Sequence, residues 1–273
     1  MADRDYIEWK KRLGFSDAEA GEDSFSGHLR FGTAGIRGVM GIGTNRMNVH
    51  VVARAAKAVA LYLNKLGGKS VAVSYDSRIN SEAFAKACAE VFAASGLKVY
   101  ITKGAGITPL LAFSVRKLGC SAGVMITASH NPRQYNGFKV YDNRGCQISD
   151  GQAAAIWEIM DSLSYFDIGR AGFDRELEAG NIEYMGEDVT NSYLESVLGQ
   201  GFGDCRGLKV CYTPLNGAGA DFTARLLSHL GAQVVKVSEQ ARPDGSFSTC
   251  PYPNPETEEA FNLAREYAER ENC

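Results

Sequence analysis

The sequence of 273 residues predicts an α/β fold: two three-layer α/β/α domains of related topology with mixed sheets, the second domain incomplete. Two observations support this prediction. Short apolar runs rich in β-branched residues alternate with amphipathic stretches of helical period, and glycines follow most of those stretches. The order strand, loop, helix, glycine, strand over residues 71–101 then recurs over residues 208–237. We interpret the recurrence as an internal structural repeat of one α/β unit.

The N-terminal residues 1–28 are predicted to form an arm on the first domain. A short helix is expected over Asp5–Leu13, with Tyr6, Trp9 and Leu13 on one face. The polar residues that follow are expected to form a surface loop.

Residues 29–186 are predicted to form the first domain. The patterns predict strands over 71–75, 97–101, 123–127 and 138–141, and helices over 50–66, 81–95, 108–118 and 149–163. Thr108 is the expected N-cap of the third of these helices, with Pro109 at its first position. A capping box, Ser149-x-x-Gln152, opens the fourth. Residues 169–186 are polar and acidic, which indicates a link at the domain edge.

A connecting helix and linker over residues 187–207 lead to a second domain over residues 208–273. This second part is predicted to contain strands over 208–213 and 233–237 and helices over 221–230 and 255–269. His229, late in the first of these helices, is expected to be partly buried and structural rather than a ligand.

Composition and charge exclude several classes of function. The chain is 45% hydrophobic and 22% charged, as in soluble globular proteins, and its net charge of −3 argues against a nucleic-acid partner. The first eleven residues are polar and charged, and no apolar run reaches membrane-spanning length, so no membrane association is expected. Seven cysteines without a CxxC pair indicate reduced thiols and a cytoplasmic protein.

The stretch Ser121–Tyr141 carries the clearest chemical signal. A buried strand ends at Thr127, and Ser129 and His130 follow in a polar turn, where open α/β sheets place their chemistry. Asn136-Gly137 is expected to turn the chain into the next strand. Ser129 is either a turn cap or a nucleophile, and the nearby cations favour a phosphoryl group over an acyl group.

Two strings in the chain resemble signatures of the α-D-phosphohexomutase superfamily, which includes phosphoglucomutases and phosphomannomutases. Residues 127–132 read TASHNP and are followed by NGFK at 136–139, similar to the phosphoserine loop of that superfamily. Residues 31–38 read FGTAGIRG, similar to its N-terminal signature. Without the resemblance, this second string would be taken as a glycine-rich hairpin.

The resemblance implies a role for each matching residue. Ser129 would carry the phosphoryl group, and Arg37 would lie against it. Lys139 would be the general acid and base for the sugar hydroxyl, and His130 would orient the loop or contact phosphate.

The same resemblance implies a binding set and a cofactor. Thr33, Arg37, His130 and Asn131 would bind phosphate or substrate. The phosphate on Ser129 would be a ligand of Mg²⁺, and a sugar bisphosphate of the glucose 1,6-bisphosphate type would be the activator.

Three further features of the sequence bear on the site. Asp76-x-Arg78 follows the 71–75 strand and is expected to be an ion pair that holds the neighbouring loops rather than a catalytic pair. Asn216 stands where the superfamily usually has histidine, so a role for its side chain is in doubt. Residues 243–256, which are rich in proline, are predicted to form an ordered loop that also matches the superfamily.

The chain is expected to be an N-terminal fragment that stops before the aspartate loop that binds magnesium in the superfamily. The aspartate ligands would then lie beyond Cys273, and activity would need the missing C-terminal domains. The function expected for the whole protein is a phosphosugar mutase acting through a phosphoserine and a bisphosphate intermediate.

Glucose 1-phosphate and glucose 6-phosphate are the first choice of substrate. The strings FGTAGIRGVMG at 31–41 and NRMN at 45–48 resemble the longer, phosphoglucomutase- and phosphopentomutase-like branch, so a pentose phosphate is the alternative, as is mannose phosphate.

Two other classes of protein remain open. A serine hydrolase would need the G-x-S-x-G elbow, which Ala128-Ser129-His130 lacks, whereas a serine phosphatase could use the same hydroxyl. A catalytically inactive phosphosugar-binding module is the second alternative.

Overall fold

A computed structural model describes residues 2–201, 203–250 and 252–273. Its strands are β1 (Ile36–Val39), β2 (Ser70–Tyr75), β3 (Lys98–Ile101), β4 (Ala122–Ile126), β5 (Tyr135–Asp142), β6 (Ile182–Tyr184), β7 (Lys209–Tyr212) and β8 (Gln233–Lys236). Its α-helices are α1 (Ala2–Leu13), α2 (Val49–Lys65), α3 (Ser81–Ala94), α4 (Thr108–Lys117), α5 (Asp150–Asp161), α6 (Phe173–Glu178), α7 (Glu187–Leu198), α8 (Phe222–His229) and α9 (Asn262–Glu271).

The first unit is built on a six-stranded mixed sheet in the order β1-β5-β4-β2-β3-β6. Strands β4, β2, β3 and β6 run parallel, whereas β5 is antiparallel to both β4 and β1. Helix α2 packs on α3 and α5 over one face, and α4 packs on β2, β4 and α7 over the other. The predicted three-layer α/β/α arrangement with a mixed sheet is therefore confirmed for this unit.

Alternate residues of the central strands serve the two cores. Val71, Val73 and Val124 belong to the large core, which α2, α3 and α5 cover. Ala72 and Met125 face a smaller core with Leu111 and Val115 of α4. Because both faces are buried, these strands read as continuous apolar runs in the sequence.

The described part of residues 1–28 packs into the large core. Trp9 is 1% exposed, and its ring meets those of Phe25, Tyr165 and Phe166 edge-on. Leu13, predicted on the same face, is instead 42% exposed. The helix begins at Ala2, earlier than predicted, and it orients Trp9 inward and Leu13 outward.

Residues 169–186 form more than the predicted link. They contain α6 and the edge strand β6, which pairs in parallel with β3. The hydrophobic pattern did not predict these elements because the segment is polar and acidic, and an edge strand needs few apolar residues. Buried Phe173 and Ile182 provide the contacts that hold the segment on the sheet.

Three other predictions of local structure were wrong. Asn136 and Gly137 do not form a turn, because both lie inside β5, paired with Gly38 and Arg37 of β1. Helix α4 begins at Thr108 itself, with Ile107 as its N-cap. In place of a helix from Pro255, a 3-10 turn over Glu258–Phe261 precedes α9.

The second unit repeats part of the first. Strands β7 and β8 are parallel and joined by α8, as β2 and β3 are joined by α3. Its apolar core is small, with Leu215, Cys250 and Ala260 buried together.

Among the described residues, no helix is long and apolar enough to cross a membrane. All seven cysteines are free thiols.

We predict that Trp9→Ala lowers the free energy of unfolding by about 3–5 kcal/mol, because it removes a fully buried aromatic side chain. Urea denaturation followed by circular dichroism measures this loss. The matched control is Ile7→Ala on the same helix, where the side chain is 64% exposed, and a change within about 0.5 kcal/mol is expected. Equal effects of the two substitutions would contradict the packing of α1 into the core.

Candidate active site

Ser129 lies on the loop that follows β4, at the carboxyl edge of the parallel strands. Its backbone is left-handed, with φ of +59°, a conformation that non-glycine residues rarely adopt. The Ser129 amide donates to Thr127 Oγ1 at 2.9 Å, and the Ser129 carbonyl accepts from Arg78 Nη2 at 2.7 Å. The side chain is exposed, with Oγ 3.4 Å from His130 Nδ1. The backbone is thus held on both sides while the hydroxyl remains accessible.

Arg78 holds the whole loop through main-chain oxygens. Its Nη2 donates to the carbonyls of Ser129 and Asn131, at 2.7 and 2.6 Å. Its Nη1 donates to the carbonyls of Pro132 and Tyr135, at 3.0 and 3.1 Å. Arg78 is only 4% exposed, so these bonds form largely away from water. One side chain therefore sets the path of residues 129–135.

Asp76 supplies the counter-charge and links the two loops. Its Oδ2 lies 3.2 Å from Arg78 Nε and accepts from Thr127 Oγ1 at 2.6 Å. Its Oδ1 accepts from Ser81 Oγ at 2.7 Å and from the Arg78 amide at 3.0 Å. The predicted ion pair that holds neighbouring loops is confirmed.

Arg37 reaches the loop from β1. Its Nη1 donates to Asn131 Oδ1 at 3.1 Å, so its contact with the Ser129 loop is made through Asn131. The exposed guanidinium remains largely open to solvent. Thr33 is exposed in the turn between Gly32 and Gly35, which precedes β1.

Glycines allow β1 to lie this close to β5. Gly35 has φ of +76°, and a Cβ there would lie 1.9 Å from the Phe138 carbonyl oxygen. A Cβ at Gly137 would lie 2.6 Å from the Thr127 oxygen and 2.8 Å from the Ile36 oxygen. The two predicted signature strings therefore meet through backbone contacts that only glycine permits.

Lys139 lies on β5 opposite Met125 of β4 and is partly buried. Burial of its amine lowers the Lys139 pKa, and the nearby Arg37 guanidinium lowers it further, while Asp76 acts in the opposite direction. A lowered pKa increases the fraction of neutral amine near pH 7, which suits a general base.

A cleft of about 490 Å³ separates the Ser129 loop from the second unit. Asp76, Ser129 and His130 line one wall, and Leu215 and Phe247 line the other. The volume lies within the usual range for small-molecule sites. The sequence predicted an ordered loop over residues 243–256 but no role for Phe247 within it, because the loop is irregular and lies more than 110 residues after the Ser129 signature.

The side chains of Asn216 and His229 form hydrogen bonds with neighbouring parts of the second unit. Asn216 is 2% exposed, donates to the Glu239 and Arg242 carbonyls and accepts from Thr249 Oγ1 at 2.6 Å. It therefore joins three segments of irregular chain. His229 is exposed rather than partly buried as predicted, since it ends the outer face of α8, where its Nδ1 lies 2.8 Å from the Arg225 carbonyl.

The described residues do not provide a metal cage. Nowhere in residues 2–201, 203–250 and 252–273 do three or more His, Cys, Asp or Glu side chains come together in a group that could hold an ion. Asp76 lines the same cleft as Ser129, but its carboxylate already binds Arg78, Thr127 and Ser81. These side chains therefore do not fit magnesium by themselves.

Cys273, beyond which the aspartate ligands were expected, belongs to no such group either. It is an exposed free thiol that follows α9, and its amide donates to the Ala268 carbonyl at 2.9 Å. This bond closes the end of the helix, so the position of Cys273 is structural. The aspartate ligands themselves stay a prediction.

Residues 28–166 match the family profile described as phosphoglucomutase/phosphomannomutase, alpha/beta/alpha domain I. Residues 191–273 match domain II of the same description. The chain belongs to the phosphoglucomutase/phosphomannomutase family. The second match begins within α7, earlier than the predicted domain start at 208.

Curated relatives agree with this membership. A phosphoglucomutase of Staphylococcus saprophyticus is 38% identical over 250 residues, covering 90% of this chain and 45% of the relative. A phosphoglucomutase of Staphylococcus aureus USA300 is 36% identical over 268 residues, covering 94% of this chain and 47% of the relative. The chain thus spans less than half the length of these relatives.

Solved structures show the same fold. A crystal structure named as a phosphomannomutase of Thermus thermophilus has a TM-score of 0.73 at 30% identity, covering 88% of this chain and 52% of that one. A phosphoglucomutase/phosphomannomutase family protein of Burkholderia thailandensis has a TM-score of 0.69 at 26% identity, covering 88% of this chain and 50% of that one.

We predict that Arg37→Ala raises the Lys139 pKa, because it removes a neighbouring positive charge. The Lys139 amine would then be protonated up to a higher pH and would react more slowly with acetic anhydride near neutral pH. Competitive acetylation followed by mass spectrometry measures this change. The exposed Lys65 on α2 serves as the internal control, and its rate should stay constant. An unchanged Lys139 rate would contradict the proposed electrostatic coupling.

Proposed function

We propose that this chain carries the phosphoryl group in a phosphosugar mutase, with Ser129 as the carrier. The observation that supports this most is the geometry of the Ser129 loop. Its backbone is fixed by Arg78 and Thr127, while the exposed Ser129 side chain lines the cleft. The cationic Arg37 contacts the same loop through Asn131. Fixed positioning and positive charge are what phosphoryl transfer requires of a protein.

The proposed transfer is reversible and needs no further reactant. The bond between phosphorus and Ser129 Oγ breaks as a bond forms between phosphorus and a sugar hydroxyl oxygen. The proton of that hydroxyl passes by way of the Lys139 amine to the Ser129 oxygen, which leaves as a hydroxyl. In the return step, the Ser129 hydroxyl attacks the other phosphate and gives up its proton. Lys139 delivers that proton to the departing sugar oxygen, and Ser129 regains a phosphoryl group.

The remaining predicted residues have electrostatic roles in this proposal. Arg37 would neutralise charge on the phosphate, and its bond to Asn131 keeps it beside the loop. His130, 3.4 Å from Ser129 Oγ, would donate a ring N–H to a phosphate oxygen. Thr33 would contact substrate from the turn before β1. The phosphate on Ser129 would be a ligand for Mg²⁺, but no proposed step depends on the metal.

For the substrate we propose a hexose phosphate, with glucose 1-phosphate and glucose 6-phosphate first. The Staphylococcus relatives are named phosphoglucomutases, which supports this choice. A sugar bisphosphate of the glucose 1,6-bisphosphate type would be the activator. A mannose phosphate is the alternative supported by the Thermus neighbour's name.

The string at residues 45–48 contributes little to a choice between hexose and pentose. Asn48 accepts from the amides of His50 and Val51 and so caps α2. Arg46 binds Asp23, and Asn45 donates to the Asp23 carbonyl. These side chains hold local structure, so the pentose alternative rests on resemblance alone.

We predict that the whole protein expected to contain this chain, incubated with glucose 1,6-bisphosphate and Mg²⁺, gains one phosphoryl group on Ser129. Peptide mass spectrometry locates the group. Ser129→Ala should abolish labelling, because it removes the only oxygen that receives the phosphoryl group in this proposal. Ser162→Ala, which changes another exposed serine, should label as the unaltered chain does.

Labelling at a different residue would refute the carrier role. Release of inorganic phosphate as fast as Ser129 is labelled would identify a serine phosphatase instead. No labelling under any condition, with retained binding of the bisphosphate, would favour a non-catalytic binding module.

A further inference from the structure

The second unit contacts the side chain that holds the Ser129 loop. The Phe247 ring covers the Arg78 guanidinium, with the Arg78 Cζ 5.4 Å from the ring centroid. Phe247 is 5% exposed and has a φ of +48°. A buried aromatic ring over a desolvated guanidinium is a favourable cation–π contact. An unusual backbone conformation is thus maintained where the two units meet.

The Phe247 loop is folded by a single carboxylate. Asp244 accepts four hydrogen bonds, from the amides and hydroxyls of Ser246 and Ser248, at 2.7 to 3.1 Å. These bonds hold the pKa of the Asp244 carboxyl well below its ordinary value. The Phe247 amide also donates to the Asp244 carbonyl at 3.1 Å. Phe247 therefore projects from a turn with little freedom.

The contact between the two units also involves the backbone. A Cβ at Gly245 would lie 2.5 Å from the Ile79 amide nitrogen and 2.7 Å from the Ser77 carbonyl oxygen. Only glycine permits the 244–248 turn to approach the Asp76–Arg78 loop so closely. Any side chain at 245 would have to push the two loops apart.

Asn216 ties this turn to Leu215 on the same wall of the cleft. The Asp244 amide donates to the Asn216 carbonyl at 3.0 Å, and Thr249 Oγ1 donates to Asn216 Oδ1 at 2.6 Å. Asn216 immediately follows Leu215, which lines the cleft. The contacts are therefore continuous from the second-unit wall, through Phe247 and Arg78, to Ser129.

We propose that Phe247 and Gly245 are positioning residues for the phosphoryl carrier: the second unit fixes the plane of the Arg78 guanidinium and thereby the backbone of the Ser129 loop. The inference rests on the proposed function for its catalytic consequence. The physical reason is that all four Nη bonds of Arg78 go to loop carbonyls, and rotation of its plane would break them together. Phe247 covers the face on which water would otherwise compete.

The test uses hydrogen exchange in the 273-residue chain and Ser129 labelling in the whole protein expected to contain it. Phe247→Ala should speed exchange at the Ser129, Asn131 and Tyr135 amides by between about threefold and thirtyfold, the range of a lost cation–π contact. The rate of Ser129 labelling by glucose 1,6-bisphosphate should fall by a similar factor. Phe247→Tyr, which keeps the ring, should restore both. Tyr252→Ala, which removes an aromatic side chain that is 63% exposed, is the matched control and should change neither.

The Val237 amide, which donates to the Tyr212 carbonyl between β8 and β7, reports whether the second unit stays folded. If exchange of the Val237 amide also rises in Phe247→Ala, the second unit has loosened, and Gly245→Ala becomes the test variant. Gly245→Ala leaves the ring in place and must speed exchange in the Ser129 loop. Unchanged loop exchange in both variants would overturn the inference. Faster loop exchange without any labelling of the unaltered whole protein would retain the positioning role and refute the proposed function.

Discussion

The buried guanidinium of Arg78 is the interaction on which the site depends. A cation removed from water is costly unless charges and hydrogen bonds replace its hydration. Here four carbonyls and Asp76 replace it. Because those carbonyls all belong to one loop, the same contacts that satisfy the charge also give the loop a single path. The left-handed conformation of Ser129 is maintained by this arrangement rather than by local preference.

Within this loop, the main chain of Ser129 has a structural role, and its side chain is available for reaction. Main-chain groups of Ser129 are used for structure, since its amide is bound to Thr127 and its carbonyl to Arg78. The hydroxyl is left free on the cleft. A reactive group held in this way loses little freedom during reaction, which is how positioning accelerates group transfer. Arg37, which donates to Asn131 of this loop, and Lys139 come from the neighbouring strands β1 and β5 of the same sheet.

Pairing of β1 with β5 explains why two strings about 100 residues apart form one site. The antiparallel register places Arg37 opposite Gly137, two residues before Lys139. Burial of its amine lowers the Lys139 pKa, and the proximity of Arg37 lowers it further. One glycine of each string, Gly35 and Gly137, is thereby explained, because the backbones touch where a Cβ would collide with a carbonyl oxygen.

The sequence by itself determined the α/β class, most helices and central strands, the Asp76–Arg78 ion pair and the Ser129 string as the chemical centre. These features leave local signals: hydrophobic period, glycine stops, capping residues and a long ordered motif. Only the tertiary structure decided that residues 182–184 form an edge strand and that Asn136 and Gly137 lie inside β5, since these depend on pairing with distant strands. The contact of Phe247 with Arg78 was equally hidden. It joins two irregular loops about 170 residues apart, and no periodicity in either loop encodes it, because it exists only once both units are folded.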